Sequence, residues 1–67
     1  MNLKERLGKN LQNLVAKKRV SLEQFAYENG ISKGYIYDMA RGRANVSLEM
    51  LEKVAQGLKV KPADLLD

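Results

Sequence analysis

Cysteine and histidine are both absent from this chain of 67 residues, and proline occurs only once. Without cysteine the chain can form no disulfide and no thiolate metal site. Without histidine it lacks the commonest metal ligand and the commonest general base of enzymes. We therefore expect a protein that is not an enzyme and that uses no metal and no other cofactor. A domain this small also leaves no room for a separate sensor, so we expect no small-molecule ligand.

Long hydrophobic runs are missing as well, since no stretch approaches the roughly 18 apolar residues of a membrane-spanning helix. The chain does not begin with the pattern of a secretory signal peptide, in which a basic stretch is followed by an apolar stretch and a cleavage site. We therefore expect no membrane partner and a cytoplasmic location, in association with the nucleoid. At 67 residues, the chain has the size of one small domain, and we expect that domain to span residues 1–67.

Positive charge is concentrated in the first two thirds of the sequence. Residues 1–43 hold nine basic and four acidic side chains, a net charge of +5. Residues 44–67 hold three basic and four acidic side chains, a net charge of −1. A basic surface of this kind is where a polyanion would dock, although a solvated basic surface without a partner explains the charge equally well.

Apolar residues recur at helical spacing along most of the chain, and no segment alternates with the period of two that is typical of strands. Suitable N-cap residues precede the first four apolar stretches, and Pro62 suits the first position of a short final helix. The sequence thus predicts an all-α fold of five helices, over about 2–18, 21–29, 32–41, 47–58 and 62–66.

The predicted core consists of the apolar stripes of these helices. The stripe of the first helix is Leu3, Leu7, Leu11, Leu14 and Val15. The fourth helix contributes Leu48, Leu51, Val54, Ala55 and Leu58, the third contributes Ile36, Met39 and Ala40, and Val60, Leu65 and Leu66 close the bottom of the core.

The segment from Ser21 to Arg43 predicts two short helices joined by a tight corner at Gly30. This is the layout of a helix-turn-helix, whose second helix enters the DNA major groove. At about 100° per residue, the third helix turns its apolar residues inward and a polar side outward. That side offers donors to guanine, an acceptor for cytosine and a gap for a thymine methyl; it carries Lys33, Gly34, Tyr37, Asp38 and Arg41.

Several short motifs in register resemble the lambda-repressor-like helix-turn-helix family, of the Cro and Xre type. They include Val20-Ser21, Phe25-Ala26, Gly30-Ile31-Ser32, Tyr35-Ile36, Arg41-Gly42-Arg43 and Asn45-Val46-Ser47-Leu48. The resemblance covers about residues 3–66. It implies a compact five-helix domain that binds duplex operator DNA sequence-specifically, as a homodimer, and regulates transcription.

The resemblance also implies roles for individual residues. Base contacts are expected from Ser32, Lys33, Gly34, Tyr37 and Asp38, and contacts to the DNA backbone from Ser21, Tyr35, Arg41, Arg43 and Asn45. Tyr35 is expected to be half-buried, with its hydroxyl reaching a phosphate. Asp38 is either a base-selective acceptor or an ion-pair partner of Arg41 or Arg43.

Within the family, Tyr35-Ile36 and the run Asn45-Val46-Ser47-Leu48 are similar to the controller proteins of restriction–modification systems. A phage or mobile-element repressor is an equal alternative, because the chain departs from the usual family pattern at Leu22, Asn29, Ala40 and Ala44. Leu22 stands where a phosphate-binding glutamine is frequent, and Asn29 where an apolar residue precedes the corner glycine.

We expect two copies to bind half-sites about one helical turn apart, roughly 34–36 Å. The dimer surface is expected at the fifth helix and the end of the fourth, with Met50, Leu65 and Leu66 as candidates; the alternative is that all three belong to the core. Two other classes of function stay open: an antitoxin-like protein-interaction module with secondary DNA binding, and a nonspecific architectural DNA binder.

Overall fold

Four α-helices and one 3₁₀ turn form the regular structure of the chain in the computed structural model, which describes residues 2–67. No strand occurs among these residues, so the all-α prediction is confirmed. The prediction of a fifth α-helix is wrong, because the final element is a 3₁₀ turn of four residues, too short for α-helical hydrogen bonding to propagate. The elements are α1 Leu3–Lys17, α2 Leu22–Glu28, α3 Lys33–Ala40, α4 Leu48–Leu58 and the 3₁₀ turn Pro62–Leu65.

Each α-helix begins directly after the polar residue predicted to cap it. At α1 the Glu5 N–H donates to Asn2 Oδ1 at 2.9 Å, and the Asn2 N–H donates to Glu5 Oε1 at 3.2 Å. This reciprocal pair satisfies two of the N–H groups that a helix start leaves unpaired. The hydroxyls of Ser21, Ser32 and Ser47 each accept one such hydrogen bond in the same way.

The hydrophobic core is built from side chains of all four helices and the 3₁₀ turn. Leu11, Phe25, Ile36, Val54 and Leu65 have no exposed surface. Their removal from water is the main source of the free energy of folding.

Leu3 and Leu48 do not join this core, although helical spacing placed them in its stripes. Their exposed fractions are 61% and 79%. Each is the first residue of its helix, where the helix projects past the packed interior. Neither position could be recognised from periodicity, which describes the face of a helix but not how far the core extends along it.

Leu65 lies in the core, as one of the two predictions for this residue placed it, and not on a dimer surface. Its side chain is completely buried, and its carbonyl accepts a hydrogen bond from Asn10 Nδ2 at 2.9 Å. The same amide donates to the Asp67 carbonyl at 2.9 Å, so α1 holds the last residues of the chain in place. The Leu65 side chain is therefore not available to a dimer partner.

No helix in the described part of the chain is long and apolar enough to cross a membrane.

Candidate nucleic-acid interface

The corner between α2 and α3 is a Schellman motif, which ends one helix and redirects the chain into the next. Gly30 adopts φ 68°, a left-handed conformation that glycine tolerates best. The Ile31 N–H donates to the Ala26 carbonyl at 2.8 Å, and the Gly30 N–H donates to the Tyr27 carbonyl at 3.3 Å. Ile31 is drawn into the core, and α3 starts two residues later.

The third helix presents one apolar and one polar side, as its spacing predicted. Ile36 and Met39 are 0% and 1% exposed, and Ala40 is also buried. The opposite side of α3 is open to solvent: Lys33, Gly34, Asp38 and Arg41 are exposed, and Tyr37 is half-buried.

The start of α3 also offers main-chain donors to a ligand. Ser32 Oγ accepts the Tyr35 N–H at 3.2 Å. Within residues 2–67 the N–H groups of Lys33 and Gly34 donate to no protein acceptor. Unpaired N–H groups at the positive end of a helix dipole attract phosphates and other anions.

Lys33 is paired with a residue that sequence reasoning missed. Its Nζ lies 3.5 Å from Glu23 Oε1, and the two side chains are 64% and 60% exposed. An ion pair this exposed contributes little to stability, so Lys33 can leave it at small cost. The partner could not have been found from spacing, because only the folded corner brings the first turns of α2 and α3 together.

Tyr37 and Arg41 form a stacked pair along the outward side of α3. The guanidinium carbon of Arg41 lies 5.9 Å from the centroid of the Tyr37 ring, a cation–π distance. Asp38 forms no ion pair with Arg41 or Arg43 in the described part of the chain, where the Lys33–Glu23 contact is the one ion pair. The intramolecular alternative for Asp38 therefore finds no support, and its carboxylate is free to accept hydrogen bonds.

The residues predicted to contact the DNA backbone surround this helix on two sides. Ser21 is exposed at the start of α2, and Arg43 and Asn45 are exposed in the loop after α3. Tyr35 is half-buried as predicted, but its hydroxyl donates to the Asn45 carbonyl at 3.4 Å. This bond links α3 to the loop, and a phosphate would have to replace it.

The first helix supports α3 from behind, through two residues that sequence reasoning did not single out. Gln12 Nε2 donates to the Ala40 carbonyl at 2.8 Å and so satisfies an unpaired acceptor at the end of α3. A Cβ atom on Gly8 would lie 2.5 Å from the same oxygen. The Gln12 hydrogen bond and the close approach that the absence of a side chain on Gly8 allows hold α3 against α1 with its polar side outward.

A second exposed surface is an apolar groove of about 510 Å³ between the starts of α1 and α4. It runs along the loop after α3, beside Asn45. Of the residues predicted for a dimer surface, Leu66 lines this groove and Met50 is half-buried outside it. The apolar groove is lined by Leu3, Leu7, Val46, Leu48, Leu51 and Leu66, with polar residues at its edge.

Comparison with known proteins connects this geometry to one family. The sequence-family model of the Cro/C1-type HTH DNA-binding domain matches residues 10–67 of this chain. Control protein C.BamHI of Bacillus amyloliquefaciens is 37% identical over 67 aligned positions, which cover 98% of this chain and 83% of that protein.

Solved structures of two regulators have the same fold as this chain. The restriction-modification controller protein C.AhdI from Aeromonas hydrophila superposes with a TM-score of 0.86 at 32% identity, covering 92% of this chain and 94% of that one. The clp gene regulator ClgR from Corynebacterium glutamicum superposes with a TM-score of 0.89 at 38% identity, covering 98% and 70%. The chain therefore belongs to the Cro/C1-type helix-turn-helix family of DNA-binding domains, which confirms the family and the DNA-binding regulatory role predicted from its sequence.

Proposed function

We propose that this transcriptional regulator is the controller of a restriction–modification system and binds paired DNA half-sites as a homodimer. The main support for DNA recognition is the orientation of α3. Its apolar side is buried, while its polar side is open to solvent. The controller class is supported by the similarity to C.BamHI and C.AhdI over at least 92% of this chain.

The outward side of α3 has the dimensions and chemistry for direct readout in the major groove. An α-helix with its side chains is about 10–12 Å across, and the groove is about 12 Å wide. Lys33 would donate to the O6 and N7 atoms of guanine, and the Asp38 carboxylate would accept from the N4 amino group of cytosine. Ser32, Gly34 and Tyr37 complete the proposed set of base-contacting residues.

Contacts to phosphates would orient the domain on the duplex without reading its sequence. Three of the proposed residues lie at or just after the end of α3: Arg41, Arg43 and Asn45. Ser21 lies at the start of α2. Phosphates on either side of the groove would therefore be within reach of the domain. The hydroxyl of Ser21 accepts the Gln24 N–H at 3.0 Å, which leaves its own hydrogen for a phosphate oxygen. Tyr35 would join this set by exchanging its bond to Asn45.

The homodimer is proposed to form through the apolar groove rather than through the end of α4. Exposed apolar surface of this kind marks interaction sites in small proteins. In a two-fold dimer the same patch faces itself, so Leu48 of one copy would enter the groove of the other. Because the groove adjoins Asn45, dimerisation there would also fix the loop that follows the recognition helix.

Selection of bound sites from a random duplex library tests the proposal. We expect a palindromic consensus with half-sites about one helical turn apart, and two chains per duplex in sedimentation velocity. Affinity should fall roughly 1,000-fold between 50 and 200 mM salt if about six phosphates are neutralised. Absence of any consensus, or a flat salt response, would contradict the proposal, and a stoichiometric protein partner without an enriched site would indicate the antitoxin-like class.

The genes next to this one decide the subtype. A controller should lie beside methyltransferase and endonuclease reading frames, and a reporter fused to their promoter should respond to expression of this chain. Phage structural genes at that position would assign the protein to the repressors instead.

A further inference from the structure

We propose that the bound DNA, and not the fold, requires glycine at position 34. The empty space above Gly34 would receive the C5 methyl group of a thymine. The inference rests on the proposed function, because it assigns a specificity-determining role to one position of the same surface. Four of the five glycines have a reason within the chain to lack a side chain, and Gly34 is the exception.

Two of those four have a left-handed backbone, and a Cβ on either of the other two would force a neighbouring atom to move. Gly30 and Gly42 adopt φ values of 68° and 74°. A Cβ on Gly8 would meet the Ala40 carbonyl oxygen at 2.5 Å, and a Cβ on Gly57 would meet Asn29 Oδ1 at 2.5 Å.

Neither explanation applies to Gly34. It lies in the first turn of α3 with helical backbone, and a Cβ built there meets no heavy atom within 4 Å. Alanine would stabilise the helix at this position, because glycine loses more backbone freedom on folding. The fold therefore gains nothing from glycine here, and the reason for its smallness has to come from outside the chain.

The surroundings of Gly34 indicate what comes close to it. Position 34 lies one helical turn before Asp38, so the two share one side of α3, and Lys33 is exposed at the adjacent position. Lys33 and Asp38 are both proposed base readers. A residue without a side chain can select no base by a side-chain hydrogen bond, but it leaves room for a group that protrudes into the groove. The thymine methyl is the protruding apolar group of the major-groove edges.

The test compares Gly34→Ala with Asn13→Ala, a control substitution that also raises helix propensity. Asn13 is exposed on α1 and makes no side-chain hydrogen bond within residues 2–67. Both variants should raise Tm by about 2–6 °C. Gly34→Ala should bind the duplex selected by the unmodified protein at least roughly tenfold more weakly, and a scrambled duplex within about twofold of it, whereas Asn13→Ala should bind both duplexes normally.

Deoxyuridine scanning of the selected duplex identifies the group that the added methyl of the Gly34→Ala variant would meet. Replacing one particular thymine of the half-site by deoxyuridine should restore most of the affinity lost in Gly34→Ala, since the two methyl groups no longer collide. Unchanged binding by Gly34→Ala, an equal loss on both duplexes, or no relief at any thymine would each overturn the proposal. Failure to select any duplex with the unmodified chain would instead count against the proposed function.

Discussion

The outward side of α3 and the apolar groove between α1 and α4 are two surfaces that the fold leaves incomplete, and their chemistry is opposite. On α3 the exposed groups are charged or polar and use few partners within the chain. In the groove the exposed groups are apolar, with Leu3 and Leu48 61% and 79% exposed. Among residues 2–67, by contrast, no buried side-chain nitrogen or oxygen lacks a hydrogen-bond partner.

The comparison indicates what each surface can bind. Unpaired polar groups on a convex helix complement the polar edges of base pairs, whereas exposed leucines around a groove are stabilised by apolar contact with a protein. Because the two surfaces are separate, one small domain would be able to bind DNA and, in the proposed homodimer, a second copy at the same time. Each surface should therefore respond to its own substitutions and not to those of the other.

The largest effect should come from disturbing the support behind α3. Gly8→Ala places a methyl group against the Ala40 carbonyl, a main-chain atom that cannot move unless α3 moves with it. We expect the free energy of unfolding to fall by about 2–3 kcal/mol, measured by urea denaturation. Lys9→Ala, at the neighbouring exposed position, is the control and should change little; equal stabilities of the two variants would mean that α1 and α3 pack less closely than described.

Loss of a proposed base contact and loss of a proposed DNA-backbone contact should affect DNA binding differently. Lys33→Ala should cost about 2 kcal/mol on the selected duplex and far less on scrambled DNA. Arg43→Ala should weaken both duplexes alike and reduce the salt slope by about one. Glu23→Gln removes the Lys33 ion pair but keeps the lysine, so it separates loss of that pair from loss of a base contact. Equal losses on both duplexes for Lys33→Ala would reassign this residue to the backbone set.

A charged side chain placed beside the apolar groove should weaken dimerisation, if the groove is the dimer interface. Leu48→Glu keeps the fold, since residue 48 is exposed and an acidic side chain suits the first turn of α4. We expect dimerisation to weaken by about 1.5 kcal/mol, or more than tenfold, in sedimentation equilibrium. Tyr27→Glu alters a side chain that is 82% exposed on α2 and should leave dimerisation unchanged. A Leu48→Glu protein that dimerises normally would move the interface elsewhere.

The smallest effect should follow loss of the hydrogen bond at the end of α3. Gln12→Ala leaves the Ala40 carbonyl without its donor, and we expect the free energy of unfolding to fall by about 1 kcal/mol. The same substitution at the exposed Gln56 provides the reference for helix propensity. If both variants melt at the same temperature, water replaces the Gln12 amide without loss.

Local signals in the sequence were sufficient for the four α-helices and for the inward side of α3, but not for the type of the final 3₁₀ turn. A cap acts within three residues of itself, as Asn2 does toward Glu5, so it can be read without knowing the fold. Long-range relations could not be read in this way. Glu23 meets Lys33, and Gln12 meets Ala40, across separations of 10 and 28 residues.

The order of caps, apolar stripes and corner glycines in the sequence was enough to predict an all-α helix-turn-helix domain and the polar composition of its outward surface. Tertiary packing decided that Leu65 belongs to the predicted core and not to a dimer surface, and it alone decided that Leu3 and Leu48 border a groove and that Gly34 has empty space above it. The physical reason is range: capping and periodicity act within one or two helical turns, whereas burial depends on which distant elements meet.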